Sequence, residues 1–211
     1  MSNLLFPEVT RHFALSPSRA APLVVAGLLA VAGVIVGFML GDAYREQWLL
    51  AARYTARASF ALFLIVYCAS SLLRLWPNAT TKSLVRHRRQ WGLGFALAHT
   101  IHLAALAYYN IIILNMPGLQ SLLGGGLAYG LMFVMAATSN NASMRIMGRW
   151  WKRLHTLGIH WIWFIFTFSY FGRLFDPERW TQGAMLFPLC LVALGLRVWA
   201  WRKARMQVQE R

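Results

Sequence analysis

Hydrophobic residues in this 211-residue chain come in long blocks. They show neither the alternation of a half-buried strand nor the narrow stripe of a surface helix. Six blocks are long enough to cross a hydrocarbon core of about 30 Å. They cover residues 21–41, 54–75, 91–114, 119–138, 154–172 and 182–201. The pattern predicts an all-α integral membrane protein, a six-helix bundle forming one transmembrane domain over 1–211, with no separate soluble domain. Glycine and proline fall mostly near block ends, and the run Gly124-Gly125-Gly126 lies inside the fourth block. Inside a membrane helix such small residues serve close packing more often than they break it. The first block stands where a signal peptide would, but its apolar core is too long and "GDAYREQ" offers no small-x-small cleavage site.

Composition agrees: 58% of residues are hydrophobic and only 13% charged, about half the charge of a soluble domain. The net charge of +15 follows topology rather than nucleic acid. Sixteen of the 21 Lys and Arg fall in the N-terminus, the second and fourth loops and the C-terminal tail. Asp42, Glu46, Asp176 and Glu178 fall in the alternate loops. By the positive-inside rule both termini are cytoplasmic, as in a bacterial inner-membrane protein, and the basic loops meet lipid headgroups. Cys68 and Cys190 lie mid-block without ligand spacing and read as small apolar side chains.

Four histidines interrupt the apolar blocks. "LAHTIHLAAL" carries His99 and His102, three apart and so on neighbouring positions of one helical face. "LHTLGIHWIWFIF" carries His155 and His160. Ionisable groups inside a span are costly and are functional candidates. The third and fifth helices run parallel in this topology, and an aromatic-lined space between them suits a b-type haem with two axial imidazoles. Counted from Arg89 and Arg153, His99 lies ten residues in, His102 thirteen, His160 seven and His155 two. At a rise of about 1.5 Å per residue, His99 and His160 differ in depth by about 5 Å, but His102 and His155 by about 16 Å. Depth alone favours His99 with His160.

The stretch "RRQWGLGFALAHTIHLAAL", followed after a hairpin by "TSNNASMRIMGRWWKRLHTLGIHWIWFIF", resembles the ferric reductase-like transmembrane domain superfamily. That group includes the haem-binding membrane subunit of the periplasmic methionine sulfoxide reductase system and the haem core of NADPH oxidases. The likeness covers about residues 55–172 and includes "LLRLWP" ahead of the second basic loop. It implies His102 as the helix-three haem ligand and His155 as the helix-five histidine. The family's further histidine, thirteen residues on, is Phe168 here. All four histidines therefore stay candidates for haem iron, two per haem, with one haem b expected rather than two. Arg57 and Arg89, with Arg88, are candidates to neutralise haem propionates; headgroup contact is the plainer reading of each. Trp161, Trp163, Phe164, Phe166, Phe168 and Tyr170 could wall a macrocycle or simply pack, and Tyr108 and Tyr109 suit the outer aromatic belt. His12 and His87, in loops, are given no role.

The implied activity is electron transfer across the membrane to an outer-face acceptor, such as ferric iron or a periplasmic enzyme. "GLGFALA" opens a membrane helix, follows no strand and lacks a third glycine, so it is no dinucleotide turn. The electron donor is then a separate reductase protein or a membrane quinol, and a flavin or quinone has no motif of its own. The competing readings are a haem-free scaffold and a histidine-based proton or ion relay. The second lacks the mid-span carboxylates that usually accompany such relays.

Overall fold

The computed structural model describes residues 17–113 and 118–209. They form eight helices and no strand: α1 (Pro17–Leu40), α2 (Tyr44–Leu75), α3 (Ala79–Arg86), α4 (Arg88–Ile112), α5 (Leu119–Ala137), α6 (Asn141–Met147), α7 (Arg149–Arg173) and α8 (Trp180–Gln209). The six long helices fall on the six apolar blocks. The last residue of the third block, Leu114, and His12 lie outside the described residues.

Four helices, α1, α2, α4 and α8, are long and apolar enough to cross a membrane. A fifth span results if α5 and α6, which meet at 105°, are taken together. α7 has 25 residues but is less apolar, because Arg149, Lys152, Arg153 and Arg173 together with its two histidines lower its mean hydropathy. Large apolar side chains such as Leu28, Met39, Leu123 and Val192 face outward. So broad an apolar exterior suits lipid, not water.

The helices differ from the expected blocks at their ends. α2 starts ten residues before its block and reaches 32 residues, or about 48 Å. Its first turns carry Arg45, Glu46 and Gln47, so hydropathy hides them, yet Ala51 and Ala52 on the inward face are buried. α3 and α6 sit in the two basic loops and were not expected. Each is nucleated by an asparagine cap. Asn78 Oδ1 accepts from the Thr81 N–H at 2.9 Å while Thr81 Oγ1 accepts from the Asn78 N–H at 3.0 Å. Asn140 Oδ1 likewise accepts from the Ser143 N–H at 2.8 Å.

α2 is the central helix, packed on α1, α4 and α8. Its contact with α1 is an antiparallel hairpin of close backbone approach. Gly33 faces Thr55, Gly37 faces Ala51 and Gly41 faces Gln47. The four-residue spacing puts these glycines on one stripe, the arrangement that lets two membrane helices touch by backbone. α7 packs on α5 and α8, while the two histidine-bearing helices α4 and α7 are not packed along each other. Aromatic side chains bridge the interior instead. Phe166 lies 5.1 Å from Phe60 and 5.3 Å from Phe63, and Phe63 lies 5.4 Å from Phe95, ring centre to ring centre.

The α1–α2 contact generates a test. A Cβ at Gly37 would land on the backbone of Ala51, whereas one at Gly130 meets nothing. Gly37→Ala is expected to lose about 1–3 kcal/mol through overpacking. Gly130→Ala should leave stability unchanged or raise it, since alanine favours a helix by about 1 kcal/mol. Thermal unfolding in detergent, followed by circular dichroism, compares the two.

Candidate functional site: two histidine-lined cavities

α4 and α7 are separated by two cavities that adjoin at Met132 and Ile162. The larger, of about 1140 Å³, is lined by the first turns of both helices, with Arg88, Arg89, Lys152, His155 and His160. The smaller, of about 570 Å³, is lined by their later turns, with His99, His102, Tyr109, Phe166, Tyr170 and Arg173. The helices therefore run in the same direction, as the expected topology requires. Both volumes are of the size that takes a small molecule or cofactor.

In the smaller cavity α2 sets the state of both imidazoles. His102 Nδ1 lies 2.9 Å from the Ala52 carbonyl. A carbonyl only accepts, so Nδ1 carries the proton and donates it. Ser59 donates its own hydroxyl proton to the Ala56 carbonyl at 2.9 Å. Its oxygen is then an acceptor for His99 Nδ1–H, also at 2.9 Å. Thr55 is turned the same way, donating to Ala51 and lying 3.4 Å from His102 Nδ1. His102 is held as the Nδ1–H tautomer, His99 takes the same tautomer when Ser59 keeps its proton on Ala56, and neither Nε2 has a hydrogen-bond partner among the described residues. Metal-bound histidines are oriented by this kind of outer contact.

The α7 histidines are held more loosely. His155 donates from Nδ1 to the Trp151 carbonyl at 3.0 Å and stacks on that indole at 3.9 Å between ring centres. Its Nε2 is 3.5 Å from Ser139 Oγ. His160 Nδ1 lies 3.3 Å from the Tyr67 hydroxyl, whose ring carries the Arg197 guanidinium 4.7 Å from its centre. Burial of Tyr67 among helices α2, α7 and α8 makes this an internal contact, not a surface one.

The structure thus separates the histidines by helix: both α4 imidazoles line the smaller cavity and both α7 imidazoles line the larger. The expected couple across one space, His99 with His160, is not formed, and neither is His102 with His155. Equal depth along two helices does not place two side chains in one cavity. Aromatic packing at Phe63, Phe95 and Phe166 and the side chains of Met132 and Ile162 lie where the two spaces meet. Phe168, where the resemblance would put a further histidine, is 65% exposed and lines neither cavity.

Of the expected arginines, Arg89 and its neighbour Arg88 line the larger cavity, but Arg57 lines neither; its guanidinium sits 4.9 Å over the Tyr54 ring. Arg53 and Arg173 line the smaller cavity instead. Arg53, one turn before Arg57, falls in the polar start of α2 that the hydropathy pattern misses. Tyr129 was also missed. Its ring stacks on His99 at 4.8 Å, and its buried hydroxyl has no partner among the described residues. Phe166 and Tyr170 from the expected aromatic set line the smaller cavity, whereas Phe164 faces outward. Trp161 and Trp163 donate to the Gly124 and Cys190 carbonyls and so pack helices together. Outside the helices, Arg179 pairs with Asp176 and holds its carboxyl below the usual carboxylate range.

The smaller cavity offers part of a haem-binding donor set. It offers two imidazole lone pairs, the flat faces of Tyr129 and Phe166, the unpartnered Tyr129 hydroxyl, and Arg53 and Arg173 for carboxylates. It does not offer an α7 histidine for the opposite face of the iron. His99 and His102 share one helix with ring centres 5.1 Å apart, so they cannot bracket one iron between them. No group of three or more His, Cys, Asp or Glu suited to a bare metal ion occurs among the described residues. No known family model and no solved structure matches this chain.

The tautomer assignment is open to measurement. ¹⁵N spectra of histidine-labelled protein freed of any bound cofactor should show protonated Nδ1 and unprotonated Nε2 at His99 and His102. Ser59→Ala should abolish that preference at His99 alone and destabilise the fold by about 1 kcal/mol, the net worth of one hydrogen bond. A randomised His99 tautomer in the unmutated protein would refute the assignment.

Proposed function

We propose that this chain is a membrane b-type haem protein that carries electrons to an acceptor on the outer face, in the manner of the ferric reductase-like proteins it resembles. The observation that carries the reading is the pair of α4 imidazoles, each turned by an oxygen of α2 to present Nε2 in the smaller cavity. In this reading His102 would hold the iron through Nε2, while its Nδ1–H donates to the Ala52 carbonyl. His99 lines the pocket beside it and stacks with Tyr129. Arg53 and Arg173 receive the propionates, and Phe166 and Tyr170 exclude water. When bound, the haem supplies one-electron chemistry that no side chain here provides. The donor in this reading is a separate reductase protein or a quinol.

In the proposed topology all six long helices cross the membrane and both termini are cytoplasmic. Three placements support it. The start of α1 lies beside the start of α4, where Gly94 meets Pro22 and Ala26. Trp201 near the end of α8 shares the larger cavity with Arg88. Glu178 and Arg179 share the smaller cavity at the opposite end. Single cysteines introduced in a background without Cys68 and Cys190 report the orientation. Arg145→Cys should react with an impermeant maleimide only after the inner face is exposed, and Asp176→Cys should react from outside.

A second reading, a haem-free scaffold, is favoured by the separation of the histidines into two cavities. Optical spectra decide between them. Detergent-purified protein should show a Soret band and, after dithionite, a sharp α band. His102→Ala should remove both bands, with His99→Ala shifting them, while His155→Ala and His160→Ala leave most of the haem in place. Phe168→His, which completes the family pattern on an outward face, should change nothing. A protein that stays colourless after expression with a haem precursor belongs to the scaffold reading.

A further inference from the structure

The larger cavity has a chemistry that the haem reading does not use. Arg74, Arg88, Arg89, Lys152 and Arg197 reach it from α2, α4, α7 and α8. No carboxylate lines it, and the ion pair among the described residues joins Arg179 to Asp176 at the other end of the helices. The guanidinium contacts here go to neutral oxygens. Arg88 donates to Ser70 Oγ at 3.1 Å, Arg197 to the Tyr67 carbonyl at 3.0 Å, and Arg74 to the Ala200 carbonyl at 3.4 Å. Each contact uses one of five N–H groups and leaves the charge uncompensated. Arg88 and Arg197 are also half-buried, so solvent screens them incompletely.

Beyond the cations the walls are apolar, formed by Phe63, Phe95, Ile159 and Ile162. A cavity with converging guanidinium forks at one end and hydrocarbon walls at the other suits an anion with an apolar body. Several forks that converge favour phosphate, which takes them in pairs. We propose that the larger cavity is a binding site for the phosphate of an anionic amphiphile, its head among Arg88, Arg197 and Arg74 and its apolar part along Phe63 and Ile159. Two sources share that chemistry: the headgroup of an anionic membrane lipid and a soluble organic phosphate. The site stands apart from the haem reading, since Arg74, Arg88, Arg197, Phe63 and Ile159 do not line the smaller cavity.

Calorimetric titration of the full chain in detergent, as purified with any haem it holds, tests the site. Short-chain phosphatidylglycerol should bind saturably, short-chain phosphatidylcholine should not, and added salt should weaken the binding. The double variant R88Q/R197Q should weaken it by roughly tenfold or more, and R88K/R197K should recover most of it. R45Q, at the start of α2 and more than four turns before the first α2 residue that lines the cavity, serves as the unaffected control. Displacement of the lipid by millimolar inorganic phosphate assigns the site to soluble phosphates; indifference to phosphate assigns it to lipid. Equal binding of the zwitterionic lipid, salt-independent binding, or no saturable heat overturns the proposal. If R88Q/R197Q does not fold, the salt dependence and R89Q carry the same test. A coloured protein with a flat titration sinks this site and leaves the haem reading standing. A colourless protein that titrates does the reverse.

Discussion

An imidazole placed in a medium without water must satisfy both ring nitrogens from the protein or hold something else. That constraint organises the interior of this molecule. The four histidines each anchor Nδ1 on an oxygen of a neighbouring turn or helix, and the α4 pair depends on α2 for it. Ala52, Thr55 and Ser59 lie on the face of α2 that α4 packs against, and that helix is buried along most of its length. α2 can come so deep because α1 approaches it at Gly33, Gly37 and Gly41 without side chains between.

A second factor, aromatic packing, divides the interior. α4 and α7 are held apart by bulky aromatic side chains, and the space that remains is split in two. At one end the walls carry imidazoles with free lone pairs. At the other they carry guanidinium groups without carboxylates. A single elongated slot with one histidine on each wall would suit a bis-histidine haem better. The chain instead offers two chemically distinct compartments, one suited to a metal-centred ligand and the other to an anion.

The arginines show how position alters meaning. Arg57 and Arg53 are one turn apart on α2, yet only Arg53 reaches the smaller cavity. Arg57 lies over Tyr54 at the helix surface, where its long stem covers apolar area. On α7 the outward face holds Phe164 and Phe168, while Ile162, Phe166 and Tyr170 turn inward. A residue thirteen positions after His155 lies a little over half a turn away from it around an ideal helix, so shared helix and shared cavity are separate questions.

Hydropathy along the chain was enough to locate the six long helices and predict an all-helical membrane protein, because burial in lipid demands long unbroken apolar runs. Charge sorting pointed to the direction of α4 and α7, and cost-of-burial reasoning singled out His99, His102, His155 and His160. Hydropathy could not find the polar start of α2, or the capped helices α3 and α6, because those turns are stabilised by local hydrogen bonds and packing rather than by lipid. Nor could it tell which histidines share a cavity. Depth is a property of one helix, read from residue count. Facing is a property of several, decided by how α2, α5 and α8 rotate and space α4 and α7. The roles of Tyr129, Arg53 and Arg173, and the gathering of cations from four helices into one space, arise only when those helices pack.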